Sequence, residues 1–574
     1  MDHFLAHPPL TLAAVYPILR ARLEFLLPQQ IDAPDSPDHG GLFAPEYGLA
    51  DAKLSGHFVV TAAYCALAGE RLGATASPDT WLARAALAAR HLQRSQRSSG
   101  NLDLLSVNYD SAPDTAFTVQ QLCTLFELAG DRDEPAWRTL LAEVERFVRA
   151  AVPGILTGGF HTPNHRWVMV SALVQAHAAF PDLDVADVVN AYLAETFDCD
   201  AEGFFIERSV GVYDAVNDRS LLFIGRYWDS PEAAPTAARN LELNLHLLHA
   251  DGTADTGLSR RQDYGLRTVP TQLIDCYLAA HAVTPHPRFV AAAHHVWDRA
   301  VHNPAGSDRA GHFAHDIGWI TYGLLRYGDP PVVDVDTAAQ LPDDYARFFP
   351  VNRIWRVRRG LLSASFYGDT TRLMTLTMGQ AELASLKISQ TYFGQYTGRF
   401  IGQEFTLDDG TLTMRSRGDR NPRRPGYELP MGRPVANADW QRTMPERALR
   451  RLPHPLTELR VTEARDRDGQ GFDLHVRTLD GTAGVTVQIA LDFPPGGIWE
   501  TAATRTLTAP GQVIFLQEGY GAMRYGNDVI RVGPGVHAHG TWHMRDAEPA
   551  PAHVRVLLTL RVPVDFAFSI RGKR

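Results

Sequence analysis

The feature that most constrains this chain is a change of hydrophobic period partway along it. Up to about residue 340 apolar side chains recur at helical spacing, and beyond about 350 they alternate or fall in β-branched runs. A helical period gathers apolar residues on one stripe of a helix. A period of two gathers them on one face of a strand, so the two halves must fold differently. The helical windows include 10–27, 79–93, 114–129, 135–151, 163–180, 215–228, 237–250, 271–283, 287–301 and 313–327. Each is bounded by Gly, Pro, Asp or Ser, the residues that start and stop helices. Roughly ten to thirteen such segments with short connections predict stacked helical hairpins. Periodicity alone leaves a closed toroid and an open solenoid undistinguished.

The stretch from Asp329-Pro330-Pro331 to Pro350 is rich in Pro and Asp and carries little period. It reads as a linker, giving a helical domain at 1–335, a linker at 336–350 and a strand-rich domain at 351–574. Strand windows are 353–367, 372–378, 383–392, 411–415, 456–464, 472–479, 485–493, 513–516, 529–532 and 554–564. Asp409-Gly410, Asp468-Gly469 and Asp480-Gly481 read as hairpin turns. Many short strands joined this way predict an antiparallel sandwich.

Composition narrows the function. The formal charge is 55 − 65 = −10, which argues against nucleic acid as a partner, since such binders need a basic face. An acidic ligand remains compatible, because a basic cleft can sit in an acidic protein. Cys65, Cys123, Cys199 and Cys276 are widely spaced and form no CxxC pair, so neither a zinc site nor a disulfide framework is expected. His537-x-His539 without a nearby carboxylate or Cys is a weak metal signal, and no metal is expected. Phosphate-loop, dinucleotide, nucleophile-elbow and HExxH motifs are all absent, and no cofactor is expected. The start Met1-Asp2-His3-Phe4 lacks a basic segment and apolar core, and no window approaches the length of a membrane span. The expectation is a cytoplasmic protein with no membrane partner. Self-association is left open.

Two runs carry chemistry. Thr162-Pro163-Asn164-His165-Arg166-Trp167 opens a predicted helix, with Thr162 as cap and Pro163 at the first position. Asn164 and His165 then sit in the first turn, where the helix end favours an anion. Arg166 and Trp167 add a cation and a flat apolar face suited to a sugar ring. About fifty residues on, Glu207-Arg208-Ser209-Val210-Gly211-Val212-Tyr213 supplies a phenol that can give or take a proton. An amide and an imidazole that grip a carboxylate, with a tyrosine beside them, are what a uronate-cleaving site needs. Against this, polar residues at helix starts commonly do no more than cap. Stacked hairpins would bring alternate loops to one rim, adding Asn108 and Tyr109, and Ser111 caps a second helix there. Arg208 or Arg219 could hold a carboxylate in a fork, or Arg219 could pair with Glu207 or Asp218 as structure. Arg260, Arg261 and Tyr264 lie on another loop before a helix and read either as subsites for an acidic chain or as a solvated charge run.

With these residues in place, the chain resembles the toroid-plus-sandwich polysaccharide lyases, the group of heparinase II/III-like enzymes and oligoalginate lyases. The resemblance covers both halves in order, and its sharpest part is Asn164-His165 followed by Tyr213. It implies a multidomain α+β fold, an N-terminal (α/α) toroid of helical hairpins followed by a C-terminal antiparallel β-sandwich. It also implies β-elimination on an acidic polysaccharide or oligosaccharide, with Asn164 and His165 neutralising the uronate carboxylate and Tyr213 as catalytic acid. One departure stands out. Such enzymes usually carry a His-containing segment on an early sandwich strand, whereas 383–392 has no His. A zinc site of that kind is therefore not expected, and Tyr392, Tyr396, Lys387 and Tyr264 all remain candidates for the second proton-transfer group.

Two other readings compete. A glycoside hydrolase on a helical toroid would need paired carboxylates, for which Asp110, Asp114, Glu207, Asp214 and Asp218 are available. A non-catalytic carbohydrate-binding protein could use Trp440, Trp499 or Trp542 of the sandwich.

Overall fold

The computed structural model describes residues 9–74, 78–302, 312–332, 339–392, 396–418, 426–427, 449–450, 455–544 and 547–574. The chain divides into two compact units. One comprises Met1–Leu248 and Gly252–Leu341, the other His249–Asp251 and Pro342–Arg574.

The first unit is built of helical hairpins. Its helices are α1 (Leu12–Leu26), α2 (Ala52–Arg71), α3 (Pro78–Ser95), α4 (Ala112–Ala129), α5 (Pro135–Thr157), α6 (Pro163–Ala179), α7 (Ala186–Leu193), α8 (Tyr213–Tyr227), α9 (Ala233–His246), α10 (Leu273–Val283), α11 (Pro287–His302) and α12 (His312–Tyr327). Packing settles what periodicity left open. Helices α2, α4, α6, α8, α10 and α12 each pack on the next, and α12 packs back on α2, so the inner ring closes. The others lie outside it: α3 on α2, α5 on α4, α9 on α8 and α11 on α10. Alternation of outer and inner helices runs all six inner helices the same way, so the loops before them share one rim.

Side-chain size fits this placement. Helix α2 buries 14 of its 20 residues, mostly Ala, Val, Ser, Thr and Gly, and small residues let inner helices approach closely. A Cβ on Gly56 would lie 2.9 Å from Thr118 of α4. Asp51 caps α2 by accepting from the Leu54 amide at 2.6 Å, and Ser111 caps α4 by accepting from the Asp114 amide at 3.3 Å. Helix α5 continues to Thr157 with Pro153 inside it, past the expected end at 151. Pro163 does open α6, but the expected Thr162 cap is not made. The Thr162 hydroxyl instead accepts from Asn164 Nδ2 at 3.4 Å.

Among the described residues, the second unit holds a pair of nine-stranded sheets and a two-stranded ribbon of Gly426–Tyr427 with Leu449–Arg450. The first runs, in spatial order, Val513–Phe515, Val554–Arg561, Thr486–Phe493, Ala381–Tyr392, Met374–Met378, Leu362–Tyr367, Ile354–Arg359 and Asp344–Phe349. Tyr396–Arg399 pairs alongside Ala381–Tyr392. The second runs Glu404–Asp408, Thr411–Ser416, Thr457–Asp466, Gly469–Thr478, Asp565–Lys573, Asp528–Gly533, Gly521–Tyr525, Ile498–Glu500 and Arg505–Leu507. Their inner faces share one core. Trp355 stacks on Phe366 of the same sheet at 5.2 Å, and Phe472 of the other sheet meets Phe366 edge-on at 4.9 Å.

Four expectations are corrected here. Asp344–Phe349 is a strand paired with Ile354–Arg359, so the second half of the 336–350 stretch belongs to the sheet rather than to a linker. Val513–Phe515 runs parallel to Val554–Arg561, so the sandwich is not wholly antiparallel. The single window 353–367 is two strands joined at Gly360. Asp480-Gly481 joins strands of different sheets and makes no hairpin. Asp409-Gly410 is the expected turn, with φ of +43° and +71°.

Candidate functional site

The loops before the inner helices meet on the rim through direct contacts. Glu207, on the loop before α8, is buried and lies between two other loops. Asn164 Nδ2, in the first turn of α6, donates to both Glu207 oxygens at 2.9 and 3.0 Å. Arg261, on the loop before α10, brings Nε within 3.2 Å of Glu207 Oε1. The Arg260 amide donates to the Glu207 carbonyl at 3.0 Å. Burial pushes the Glu207 carboxyl above its ordinary range, against the opposing pull of Asn164 and Arg261.

Arg261 connects this cluster to Tyr213. Its guanidinium carbon sits 4.7 Å from the Tyr213 ring centroid, a cation–π contact that fixes the ring. Tyr213 is the first residue of α8, half-buried, and its amide donates to Ser209 Oγ at 3.2 Å. Asp263 ties the same loops together, accepting from Ser209 Oγ at 2.9 Å and from the Gly211 amide at 3.1 Å.

His165 stands one residue beyond Asn164. Burial lowers its pKa to about 4, with Asp114 opposing the shift, so the ring is neutral at pH 7. Phe117 and His161 pack edge-on against it at 6.0 and 4.9 Å. Burial also pushes Asp114 up, but Lys53, Ser111 and Asn108 outweigh it and hold that carboxyl below its ordinary range. Lys53 Nζ lies 3.4 Å from Asp114, and Asn108 Nδ2 donates to it at 2.9 Å.

The structure therefore brings Asn164, His165, Tyr213, Arg261 and Asn108 to one rim. Arg260 and Tyr264 are exposed on it, Tyr109 projects from the hairpin before α4, and Arg208 lies beside Glu207 with φ +50°. Arg166 and Trp167 are corrected: neither offers a sugar-binding face. Trp167 is fully buried with its indole N–H on Asp198 at 2.5 Å, and Arg166 pairs with Glu195 at 2.5 Å and Asp198 at 3.2 Å. Arg219 forks onto Asp275, with both bonds at 2.7 Å, rather than onto Glu207 or Asp218. Lys387 pairs with Glu548 at 2.7 Å on a sandwich strand. The side chains of Tyr392 and Tyr396, and Trp440 entirely, lie outside the described residues.

In the sandwich, Trp499 is buried and Trp542 exposed. His539 uses both ring nitrogens on backbone groups, the Val487 carbonyl at 3.1 Å and the Thr541 amide at 3.2 Å. Among the described residues no cluster of three or more His, Cys, Asp or Glu could hold a metal, and no helix is long and apolar enough to cross a membrane.

Sequence reasoning gave Glu207 no place among the site residues, considering it only as an arginine partner or a hydrolase carboxylate. It missed Lys53 and Asp263 outright. The available signal was that a lone acid in an apolar loop context, as in Phe205-Ile206-Glu207, must find partners once buried.

No family model and no curated protein matches this sequence. Solved structures do match it. A heparinase III aligns over 98% of this chain and 84% of its own length, with TM-score 0.51 and 10% identity. A second heparinase III structure aligns over 99% and 92%, with TM-score 0.50 and 9% identity. A Paenibacillus xanthan lyase aligns over 98% of this chain and 57% of its own, with TM-score 0.56 and 8% identity. The chain thus resembles the toroid-plus-sandwich polysaccharide lyases over nearly its whole length and has their fold. At such low identity the likeness is one of fold.

Proposed function

We propose that this protein is a lyase that cleaves an acidic, uronate-containing glycan by β-elimination. The observation that carries the reading is the rim cluster in which Asn164 and Arg261 grip a carboxylate beside Tyr213. Donors that hold one carboxylate so closely suit another, and the uronate carboxylate is where charge builds when the neighbouring carbon loses its proton. A base removes the C5 proton, the electron pair becomes a C4–C5 double bond, and the C4–oxygen bond breaks. Tyr213 gives its proton to the departing oxygen. His165, neutral at pH 7, can supply one ring N–H to the substrate carboxylate.

Glu207 already occupies the donors. A substrate carboxylate entering beside it meets repulsion when Glu207 is ionised and none when it is protonated, the form that burial favours. Protonated Glu207 is thus the form that admits substrate.

A second reading has one observation in its favour. Burial raises Glu207, while Lys53 and hydrogen bonds lower Asp114, and carboxyls pushed apart are the mark of a hydrolase acid and base. Product mass separates the two. Elimination yields a fragment lighter by one water than the hydrolysis product, and finding only the heavier fragment would replace the lyase with the hydrolase.

A further inference from the structure

Exposed apolar side chains of the helical unit gather on the rim that carries Tyr213. Phe43, Tyr47, Tyr109, Phe160, Ile206 and Tyr264 are all exposed, and all lie on loops that precede inner helices. Tyr109 is the most open of these at 73%, yet it is braced. The Arg97 guanidinium covers one face of its ring at 4.4 Å from the centroid. Arg97 Nε in turn donates to both oxygens of Asp103 at 3.1 and 3.2 Å. The Asp110 amide donates to Asp103 Oδ1 at 2.8 Å, and Ser99 Oγ donates to Asp110 Oδ1 at 2.5 Å.

Two backbone features fix the same hairpin. Asp110 is held at φ +50°, a conformation that a non-glycine residue keeps only where its surroundings over-determine it. Gly100 has φ +96°, and a Cβ there would lie 1.9 Å from the Ala150 carbonyl oxygen, so the loop seats directly on α5. The outcome is an aromatic ring with one face closed by a cation, the other open to solvent, and little freedom to turn away.

We infer that Tyr109 is a stacking platform for a sugar ring remote from the reacting residues, and that the substrate is a chain of several sugars reaching from Tyr109 to Tyr213. This rests on the glycan-lyase reading and adds the length of the substrate to it. Tyr109 stands before α4 and Tyr213 opens α8, with α6 between them. Neighbouring packed helices are about 8–10 Å apart, so two steps along the ring are on the order of 15 Å, more than one pyranose. The apolar face of a sugar suits the free face of the tyrosine, and the exposed Arg260 on the same rim suits acidic substituents.

The test compares wild type, Tyr109→Ala and Tyr109→Trp on the polymer that is cleaved and on the shortest oligomer of it that is cleaved. Tyr109→Ala should lower kcat/KM on the polymer about tenfold, the effect of one contact worth about 1.4 kcal/mol, and leave the shortest oligomer unchanged. Tyr109→Trp should restore the polymer rate. Equal loss at every length, or no loss on the polymer, overturns the inference while leaving the lyase standing. If no glycan yields an alkene, the lyase reading fails and the same variants are run in gels containing alginate, heparan, chondroitin, hyaluronan, pectate or glucuronan. Retardation of wild type that Tyr109→Ala loses keeps the platform, and identical migration removes it.

Discussion

Glu207 gives the site its character at the scale of single residues. A buried carboxyl with a raised pKa, held by Asn164 and Arg261, would make binding of the proposed acidic substrate depend on its proton. KM for an acidic glycan should rise as pH climbs through the range where Glu207 ionises, and in Glu207→Gln that rise should be absent. The same pH dependence of KM in both proteins would exclude Glu207 from this role. Behind the rim, Asp214 is fully buried, and burial raises its pKa to about 7 even though Asn240 Nδ2 donates to it at 3.3 Å. Its folded pKa lies above the unfolded value. The stability it contributes is therefore complete at low pH and is lost as pH rises toward and through 7. Asp214→Asn should gain stability over wild type progressively between about pH 4 and 7, by roughly a few kcal/mol at the top of that range and no further above it. Urea titrations at several pH values measure this, and a gap that stays constant or shrinks across that range would contradict it. His165 has the opposite sign: its depressed pKa makes stability fall as pH drops from about 6.5 toward 4.

At the scale of elements, the helical period marked inner and outer helices alike and missed one of each, α2 and α7. Helices α3, α5 and α11 have one buried and one solvated face, so their period shows. Helix α2 is buried on nearly all sides and left no stripe to find. Proline marked the starts of α5, α6 and α11 because a missing N–H costs nothing in a first turn. The strand Asp344–Phe349 was hidden because it is a sheet edge, with only Phe349 fully buried, and so carries little apolar alternation. Trp167 misled for a related reason. An indole next to an arginine reads like a binding surface, and only the fold reveals that Asp198 takes both from the inside. In the sandwich, Phe366 lies between Trp355 and Phe472. Phe366→Ala should cost about 3–5 kcal/mol and lower the thermal midpoint of the unit that contains it. A shift of a degree or less would mean that this aromatic cluster does not organise the core.

At the scale of the whole molecule, a net charge of −10 is combined with a rim that presents Arg260, Arg261, Arg208 and Lys53. Arg261 and Lys53 are paired with Glu207 and Asp114, and under the proposed function the rim cations would draw in an anionic chain through an attraction screened within about 8 Å at physiological ionic strength. KM for an acidic polymer should therefore rise with added salt while kcat changes little, and a KM insensitive to salt would argue that charge does not guide binding. Order and class of the two halves were legible because period is a property of every window. The site was legible only in part, because Asn164, Glu207, Tyr213 and Arg261 converge from loops far apart in sequence, and only closure of the inner ring brings them together.

The proposed β-elimination turns on Tyr213, with Asn164 on the same rim. The most direct measurement is ultraviolet absorbance of the unsaturated product during incubation with alginate, heparan, chondroitin, hyaluronan, pectate and glucuronan, using wild type, Tyr213→Phe and Asn164→Ala. A rise with at least one glycan is expected, reduced by roughly 10²–10⁴-fold in Tyr213→Phe and strongly in Asn164→Ala. New reducing ends without absorbance, or a rise that survives in Tyr213→Phe, would contradict the proposal.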